Sequence, residues 1–186
     1  MDIRKISIVG SGTLGIMYGR FLSRHLPAGS VRFVADENLI ETYKNTPIPC
    51  NGTPCDFTFI PFGTDDPADL VIFAMRFGEL DDVIRRIGSQ VGKNTVILSL
   101  INGITSQDML SRAFGNDRVL LCTVQGMDVS RTGNDITYTD MGILNIGTHD
   151  GLPTDFIKML TSFFDSAGFP YNLSTDMKKS LWERLV

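Results

Sequence analysis

A glycine-rich turn near the amino terminus restricts the fold of this chain more than any other feature of its sequence. Residues 6–9, Ile-Ser-Ile-Val, have the composition of a buried strand, and a Gly-x-Gly-x-x-Gly motif follows at residues 10–15. Apolar residues then recur at helical spacing over residues 14–22. This order predicts a strand, a tight turn and a helix, and the apolar run at residues 31–35 completes a strand-helix-strand unit.

Strands and helices continue to alternate along the chain. Apolar runs predict further strands at residues 69–74, 95–100 and 118–123, because strands covered on both faces of a parallel sheet are apolar throughout. Helical spacing predicts helices at residues 80–91 and 107–114. The alternation predicts an α/β fold of the Rossmann type, a doubly wound and mainly parallel sheet with helices on both faces.

Two parts of the sequence depart from this alternation. Segment 47–62, rich in proline and turn residues, predicts a hairpin, and residues 129–147 predict two strands joined at Gly133 and Asn134. The remaining predicted elements are a helix at residues 154–167, a strand at 171–173 and a helical pattern at 175–186 for which Ser174 is the capping candidate.

Composition and charge exclude several classes of function. The 186 residues include 17 Lys and Arg against 21 Asp and Glu, a net charge of -4 without a basic block, so nucleic acid is not an expected partner. The longest apolar stretches are too short to cross a membrane and no signal peptide is recognisable, so we expect a soluble, cytoplasmic protein with no membrane partner. Cys50, Cys55 and Cys122 are expected to be free thiols rather than a disulfide or zinc pair.

In this context each glycine of the turn has its own physical role. Gly10 permits the tight turn out of the strand, Gly12 lets the backbone approach a pyrophosphate, and Gly15 lets the helix and the strand pack closely. The N–H groups at the start of the helix then bind an anion without a lysine. A glycine turn without function is the alternative. The predicted cofactor-binding residues of the turn are Gly10, Ser11, Gly12, Thr13, Leu14 and Gly15.

Asp36 follows the second predicted strand, 21 residues after Gly15. An acidic side chain at this place can accept hydrogen bonds from the 2′-hydroxyl of an adenosine ribose. The same carboxylate repels a 2′-phosphate, so Asp36 favours NAD(H) over NADP(H). The alternative is a surface turn residue without a role in binding.

Arg76 and Asn102 follow two further predicted strands, and ligands of doubly wound sheets bind at the carboxyl ends of the strands. The Arg76 guanidinium can bind a phosphate or carboxylate through two hydrogen bonds, and the Asn102 amide can orient a nicotinamide ribose or a substrate oxygen. The alternatives are that Arg76 is a solvated residue at the start of a helix and that Asn102 is a turn residue before glycine. The sequence is as compatible with these alternatives as with a role in binding.

Four segments in this order resemble the ketopantoate reductases (2-dehydropantoate 2-reductases), which reduce 2-dehydropantoate to pantoate on the route to pantothenate. They are residues 5–15, 68–76, 100–104 and 181–185. The resemblance implies an N-terminal NAD(P)-binding domain and a helical domain of comparable size, with the substrate between them. We therefore expect a Rossmann domain over residues 1–173. Because no stop signal ends the last helical pattern, we expect the first helix of a truncated C-terminal substrate domain at 174–186.

The resemblance also implies catalytic roles. In this family a hydride passes from the nicotinamide to the keto carbon of a small 2-keto acid, a lysine protonates the developing alkoxide, and an asparagine binds cofactor and substrate. By position Asn102 is that asparagine, and Arg184 stands in the place of the lysine. Because an arginine keeps its charge and is a poor proton donor, Arg184 is expected to polarise the substrate carbonyl.

The resemblance and the residues disagree about the cofactor. Family members that use NADPH carry an arginine for the 2′-phosphate where this chain has Asp36. They carry a second lysine beside the cofactor where this chain has Arg76. The resemblance therefore implies NADPH, whereas Asp36 favours NADH.

Two other functions stay open. The arginines at lysine positions favour a non-catalytic nucleotide-sensing or assembly module on the same fold, whereas Asn102 and Trp182 favour the enzyme. A flavoprotein is the other open alternative. We expect this chain to bind cofactor weakly without turnover, because most substrate contacts would lie in the absent domain. The sequence is compatible with a homodimer and does not fix the oligomeric state.

Overall fold

A ten-stranded sheet forms the centre of the structure, a computed structural model that describes residues 2–183. Its central strands are short runs dominated by Val, Ile, Leu and Phe, and they are buried almost throughout. The strands are β1 (Ile6–Val9), β2 (Val31–Ala35), β3 (Pro49–Cys50), β4 (Thr53–Pro54), β5 (Thr58–Pro61), β6 (Ala68–Phe73), β7 (Val91–Ser99), β8 (Val119–Thr132), β9 (Asp135–Gly147) and β10 (Tyr171–Leu173).

The strand order is that of a doubly wound sheet. Neighbours follow the order β4-β3-β9-β8-β7-β6-β1-β2-β5, and every pair from β5 to β8 along this path is parallel. The chain runs from β1 outward to β2 and β5, returns to β6, and continues outward on the other side to β7 and β8. The direction of winding therefore reverses between β1 and β6. This order confirms the predicted Rossmann-type α/β fold.

Helices cover both faces of the sheet, as the sequence predicts. The helices are α1 (Thr13–His25), α2 (Glu37–Asn45), α3 (Leu80–Arg86), α4 (Ile104–Phe114), α5 (Asp155–Ala167) and α6 (Met177–Glu183). On one face, Ile16 of α1 and Leu160 of α5 share an apolar cluster with Ile8 of β1. On the other, Leu80 of α3 and Leu110 of α4 belong to a second cluster. Alternate strand residues supply the two clusters because side chains of a strand point to opposite faces.

The helix predicted at residues 80–91 is shorter in the structure. α3 ends at Arg86, a single 3₁₀ turn spans Gly88–Gln90, and Val91 already begins β7. Gly88 accounts for the break, because glycine is unfavourable inside a helix. Val91, the apolar residue beyond the break, is half-buried as the first residue of β7.

Segment 47–62 contains the predicted hairpin and also a strand that the sequence does not predict. β3 and β4 pair antiparallel around Asn51 and Gly52, whose φ angles are 51° and 70°. β5 instead pairs parallel with β2 at the edge of the sheet. Helix α2 was also not predicted, because Ile40 is its one buried residue and the apolar pattern is correspondingly weak.

The carboxyl-terminal third follows the prediction with two differences. β8 and β9 form the expected hairpin around Gly133 and Asn134, but β8 is longer than the predicted strand. At the start of α6, the side chain of Asp176 rather than Ser174 accepts a hydrogen bond from the N–H group of Lys179, at 3.1 Å. Ser174 Oγ accepts one from the N–H of Asp176, at 3.2 Å. Asp176 is therefore the capping residue.

Disulfides and membrane-spanning helices are two features that depend on the surroundings of a protein. Cys50, Cys55 and Cys122 form no disulfide with one another. Burial, and then the neighbouring Cys50, raises the pKa of Cys55 to about 11, so this thiol is protonated at neutral pH. Within residues 2–183 no helix combines the length and the apolar character needed to cross a membrane.

Candidate functional site

A groove lies where the winding of the sheet reverses, at the carboxyl ends of β1 and β6. Ligands of doubly wound sheets bind at this point. The groove has a volume of about 610 Å³. Its lining brings together most of the predicted site residues, namely Gly10, Ser11, Gly12, Thr13, Leu14, Arg76 and Asn102. Gly15 is buried beneath the turn.

The three glycines of the turn differ in what the fold requires of them. Gly10 has a φ of +103°, and a Cβ atom there would lie 2.3 Å from the carbonyl oxygen of Ala74. A Cβ at Gly15 would lie 2.2 Å from the carbonyl oxygen of Gly10. At Gly12 φ is −73° and a Cβ would meet only the Ala74 oxygen, at an ordinary 3.5 Å. The fold thus needs glycine at positions 10 and 15 but tolerates a side chain at position 12.

The amino-terminal end of α1 gives the groove a positive partial charge. Gly12 is the N-cap residue, and its carbonyl oxygen accepts the first helical hydrogen bond from Ile16 at 3.0 Å. The N–H groups before Ile16 have no partner within the helix, and no acidic side chain lies in the first turn. Because Gly12, Thr13 and Leu14 line the groove, this helix end is suited to bind a phosphate anion.

Arg131 adds a cation that the sequence does not predict. It lies close to the tip of the β8/β9 hairpin, where Nε donates a hydrogen bond to the Gly133 carbonyl at 3.0 Å. Its Nη1 donates to the Ser11 carbonyl at 3.4 Å, and the residue lines the 610 Å³ groove. A guanidinium and a helix N-terminus therefore adjoin the same turn. Arg131 and Ser11 are 120 positions apart in the sequence, so no local pattern predicts their contact.

A smaller compartment of about 270 Å³ adjoins the groove near Asn102. It shares Leu14 and Asn102 with the groove and is further bounded by Thr123 of β8 and Leu181 of α6. Thr123 is 5% exposed, and its hydroxyl oxygen has no hydrogen-bond partner among residues 2–183. A buried hydroxyl without a partner is costly unless a ligand or water satisfies it. The compartment thus has the exposed Asn102 side chain beside a wall that contains a buried hydroxyl group without a partner among the described residues.

Asp36 borders a second groove of about 440 Å³, which shares Gly10 and Ser11 with the first. The carboxylate is 59% exposed and forms an ion pair with Arg86 of α3. Arg86 also pairs with Asp82 at 3.2 Å, and hydrogen bonds to Asp36 and then Asp82 raise the pKa of its guanidinium. The sequence predicts Asp36 at this place but not its partner, which is 50 residues away.

Arg184, the candidate for polarising the substrate carbonyl, lies outside the residues that the structure describes. Leu181 and Trp182, which come before it in the sequence, lie on α6. Leu181 is 5% exposed and packs with Leu121, whereas Trp182 is 63% exposed. Leu181 also borders the 270 Å³ compartment, so α6 contributes to the end of the site beside Asn102.

Comparison with known proteins identifies the family. A family model described as ketopantoate reductase PanE/ApbA matches residues 6–151. The chain belongs to this family. A 2-dehydropantoate 2-reductase from Aquifex aeolicus (strain VF5) is 26% identical over 196 residues, which cover 99% of this chain and 60% of the relative. The resemblance drawn from four sequence segments is confirmed, and the chain spans about 60% of the length of this ketopantoate reductase.

Solved structures of a 2-dehydropantoate 2-reductase and of D-mandelate dehydrogenase share the fold of this chain. The crystal structure of a 2-dehydropantoate 2-reductase from Geobacter metallireducens GS-15 superposes with a TM-score of 0.79 at 24% identity, covering 97% of this chain and 61% of that one. A ternary structure of D-mandelate dehydrogenase with NADH and anilino(oxo)acetate gives 0.83 at 18% identity, covering 97% and 60%. These likenesses show a shared Rossmann-like architecture.

Proposed function

We propose that the chain is the cofactor-binding part of a ketopantoate-reductase-type oxidoreductase that acts on a small 2-keto acid, with 2-dehydropantoate as the substrate. Gly12 carries the proposal. It is a glycine that neither the backbone angle nor packing requires, and it lies at a helix N-terminus that lines a groove. The absence of a side chain there leaves room for a dinucleotide pyrophosphate to contact the backbone.

In this proposal, different residues of the two grooves would hold the parts of the cofactor. Asp36 in the 440 Å³ groove would bind the adenosine ribose, and Gly12 and Arg131 would bind the pyrophosphate. Arg76 and Asn102 would bind the nicotinamide end. Because the Asp36 carboxylate repels a 2′-phosphate, NADH is the preferred cofactor.

The substrate end is the compartment beside Asn102. A nicotinamide dinucleotide bound in the groove supplies a hydride. Asn102 orients the keto acid, and the proposed role of Arg184 is to polarise its carbonyl. The compartment, at about 270 Å³, lies just below the usual volume range of ligand pockets, which fits a small acid.

Two parts of the proposal concern the chain as a whole. We divide it into a dinucleotide-binding domain at residues 1–173 and the first helix of a substrate domain at 174–186. We place it in the cytoplasm, which three cysteines outside any disulfide favour. The chain spans about 60% of the length of its curated relative. We therefore expect it to bind the cofactor and not to turn over 2-dehydropantoate by itself.

Calorimetric titration with NADH tests the proposal. Gly12→Ala should lower the affinity by about tenfold or more. It should lower the melting temperature by only about 2–4 °C, because the added methyl group meets no atom of the protein closer than 3.5 Å and the remaining cost is that of alanine at an N-cap. Gly88→Ala is the matched control. Gly88 is exposed, with nothing within 4 Å of its Cβ position, and it lines neither groove. Unchanged NADH affinity in Gly12→Ala, or no binding by the unaltered chain, would refute the proposal.

A further inference from the structure

The guanidinium that pairs with Asp36 lies in the wall of the 440 Å³ groove, the proposed adenosine groove. Arg86 reaches this place from the last turn of α3, and its Cζ atom lies 4.1 Å from the centre of the Phe62 ring. The ring contact and the pairs with Asp36 and Asp82 fix the plane of the guanidinium. Its side chain is still 37% exposed, so a ligand in the groove can reach it.

The charges around Arg86 do not favour a phosphate as long as Asp36 is ionised. The 440 Å³ groove is lined by three carboxylates, those of Asp36, Glu79 and Asp82, and by the single guanidinium of Arg86. Two of the three carboxylates pair directly with that guanidinium. A planar guanidinium is nevertheless the side chain best suited to bind a phosphate through two hydrogen bonds.

We infer that Arg86 is a second specificity residue at the adenosine end, and that Asp36 masks it. This inference rests on the proposed function, since it needs a dinucleotide in the groove. While Asp36 occupies the guanidinium, a 2′-phosphate has neither a free cation nor a neutral surface to approach. When Asp36 loses its charge, Nη2 of Arg86 becomes available to the 2′-phosphate of NADPH without any new basic residue, while Nη1 stays paired with Asp82.

A purely repulsive role of Asp36 gives a different expectation. If the carboxylate only repels the 2′-phosphate, neutralising it helps NADPH to the same extent whether or not Arg86 is present. If Arg86 binds the phosphate, the benefit depends on the arginine. A double-mutant cycle on the ratio of the dissociation constants for NADPH and NADH separates the two cases.

The experiment measures both dissociation constants for the unaltered chain, Asp36→Asn, Arg86→Gln and the double variant. We expect Asp36→Asn to lower the NADPH/NADH ratio by roughly tenfold, and Asp36→Asn in the Arg86→Gln background to lower it by less than roughly threefold. Asp81→Asn is the control for net charge. Asp81 lies on the same helix but pairs with Arg85, and the 440 Å³ groove does not include it, so the ratio should not change.

The outcomes separate this inference from the proposed function. Equal reductions of the ratio in the two backgrounds would overturn the role of Arg86 while leaving NADH binding intact. An unaltered chain that prefers NADPH would overturn the masking by Asp36. Absence of NADH binding by a folded, unaltered chain would overturn the proposed function and, with it, the inference.

Discussion

Replacement of Arg32 by methionine should destabilise the protein without changing its affinity for NADH. Arg32 lies on β2 and is 5% exposed. Its Nε donates to Ser7 Oγ at 3.1 Å, its Nη2 to Gln90 Oε1 at 2.9 Å, and its Nη1 to the Asp66 carboxylate. Ser7 lies on β1, and Asp66 and Gln90 lie just before β6 and β7. The arginine, on β2, therefore connects four neighbouring parallel strands near their amino ends, opposite the grooves.

The hydrogen bonds that remain after the substitution limit its cost. Methionine keeps the apolar stem of the arginine, and Ser7 Oγ still donates to Gln90 Oε1 at 2.8 Å. Asp66 keeps its ion pair with Lys5 at 2.5 Å and is 45% exposed. The loss is therefore that of a few buried charge-assisted hydrogen bonds rather than of a whole network, about 2–4 kcal/mol. For a chain of this size that corresponds to a fall in melting temperature of roughly 4–16 °C.

The destabilisation should depend on pH in one direction. Hydrogen bonds from Lys5 and then Arg32 hold the pKa of Asp66 below its usual value. A carboxyl group with a depressed pKa in the folded state stabilises the fold above its unfolded pKa and loses that contribution as the pH falls through the folded value. The difference between the unaltered chain and Arg32→Met should therefore be full at pH 7 and should shrink below about pH 4.

Thermal melts followed by circular dichroism at pH 7 and pH 3, with NADH titration at 20 °C, check these expectations. Arg85→Met is the matched control, because Arg85 is 63% exposed and pairs only on the surface of α3, where an ion pair contributes at most about 1 kcal/mol. Two results would refute the assignment of stability to Arg32 and its hydrogen-bond partners. One is an equal fall in melting temperature in the two variants, and the other is a difference between the unaltered chain and Arg32→Met that is as large at pH 3 as at pH 7.

Two further substitutions test the division between fold and ligand at the glycine turn. Gly15→Ala should lower the melting temperature, because its Cβ would lie 2.2 Å from the Gly10 carbonyl oxygen. Scanning calorimetry should show a free energy of unfolding that is lower by about 1–3 kcal/mol. An unchanged melting temperature would contradict the close approach. Arg131→Gln should weaken NADH and NADPH alike by roughly threefold to tenfold, less so at high salt, with no change in melting temperature. A selective effect on one cofactor would place Arg131 away from the pyrophosphate.

Local chemistry explains how much of this architecture the sequence predicts. The Gly10 turn follows from the steric needs of a strand-to-helix connection, and the buried parallel strands follow from uninterrupted apolar runs. The carboxyl-end rule then brings Arg76 and Asn102 to one groove without knowledge of any long-range contact. Each of these predictions depends on residues within one element and its adjoining turn.

Contacts between distant elements could not be predicted in the same way. The pair of Asp36 with Arg86 and the contact of Arg131 with Ser11 depend on how α3 and the β8/β9 hairpin pack, and a single sequence holds no pattern that specifies either. Arg86 has a local partner in Asp82 at helical spacing, which would have indicated a surface pair on one helix. Its approach to the adenosine groove is a property of the tertiary structure.

The amino ends and the carboxyl ends of the parallel strands, called here the amino edge and the carboxyl edge, differ in how their polar groups are used. At the amino edge, the Arg32 guanidinium is buried and its hydrogen bonds end on protein atoms, so its energy contributes to stability. At the carboxyl edge, Arg76 and Asn102 are exposed, and Gly12 leaves helix N–H groups open to the groove, so little of their interaction energy is used in folding. A site of this kind retains its binding energy for a ligand, and that is why substitutions at the two edges should change different measured quantities.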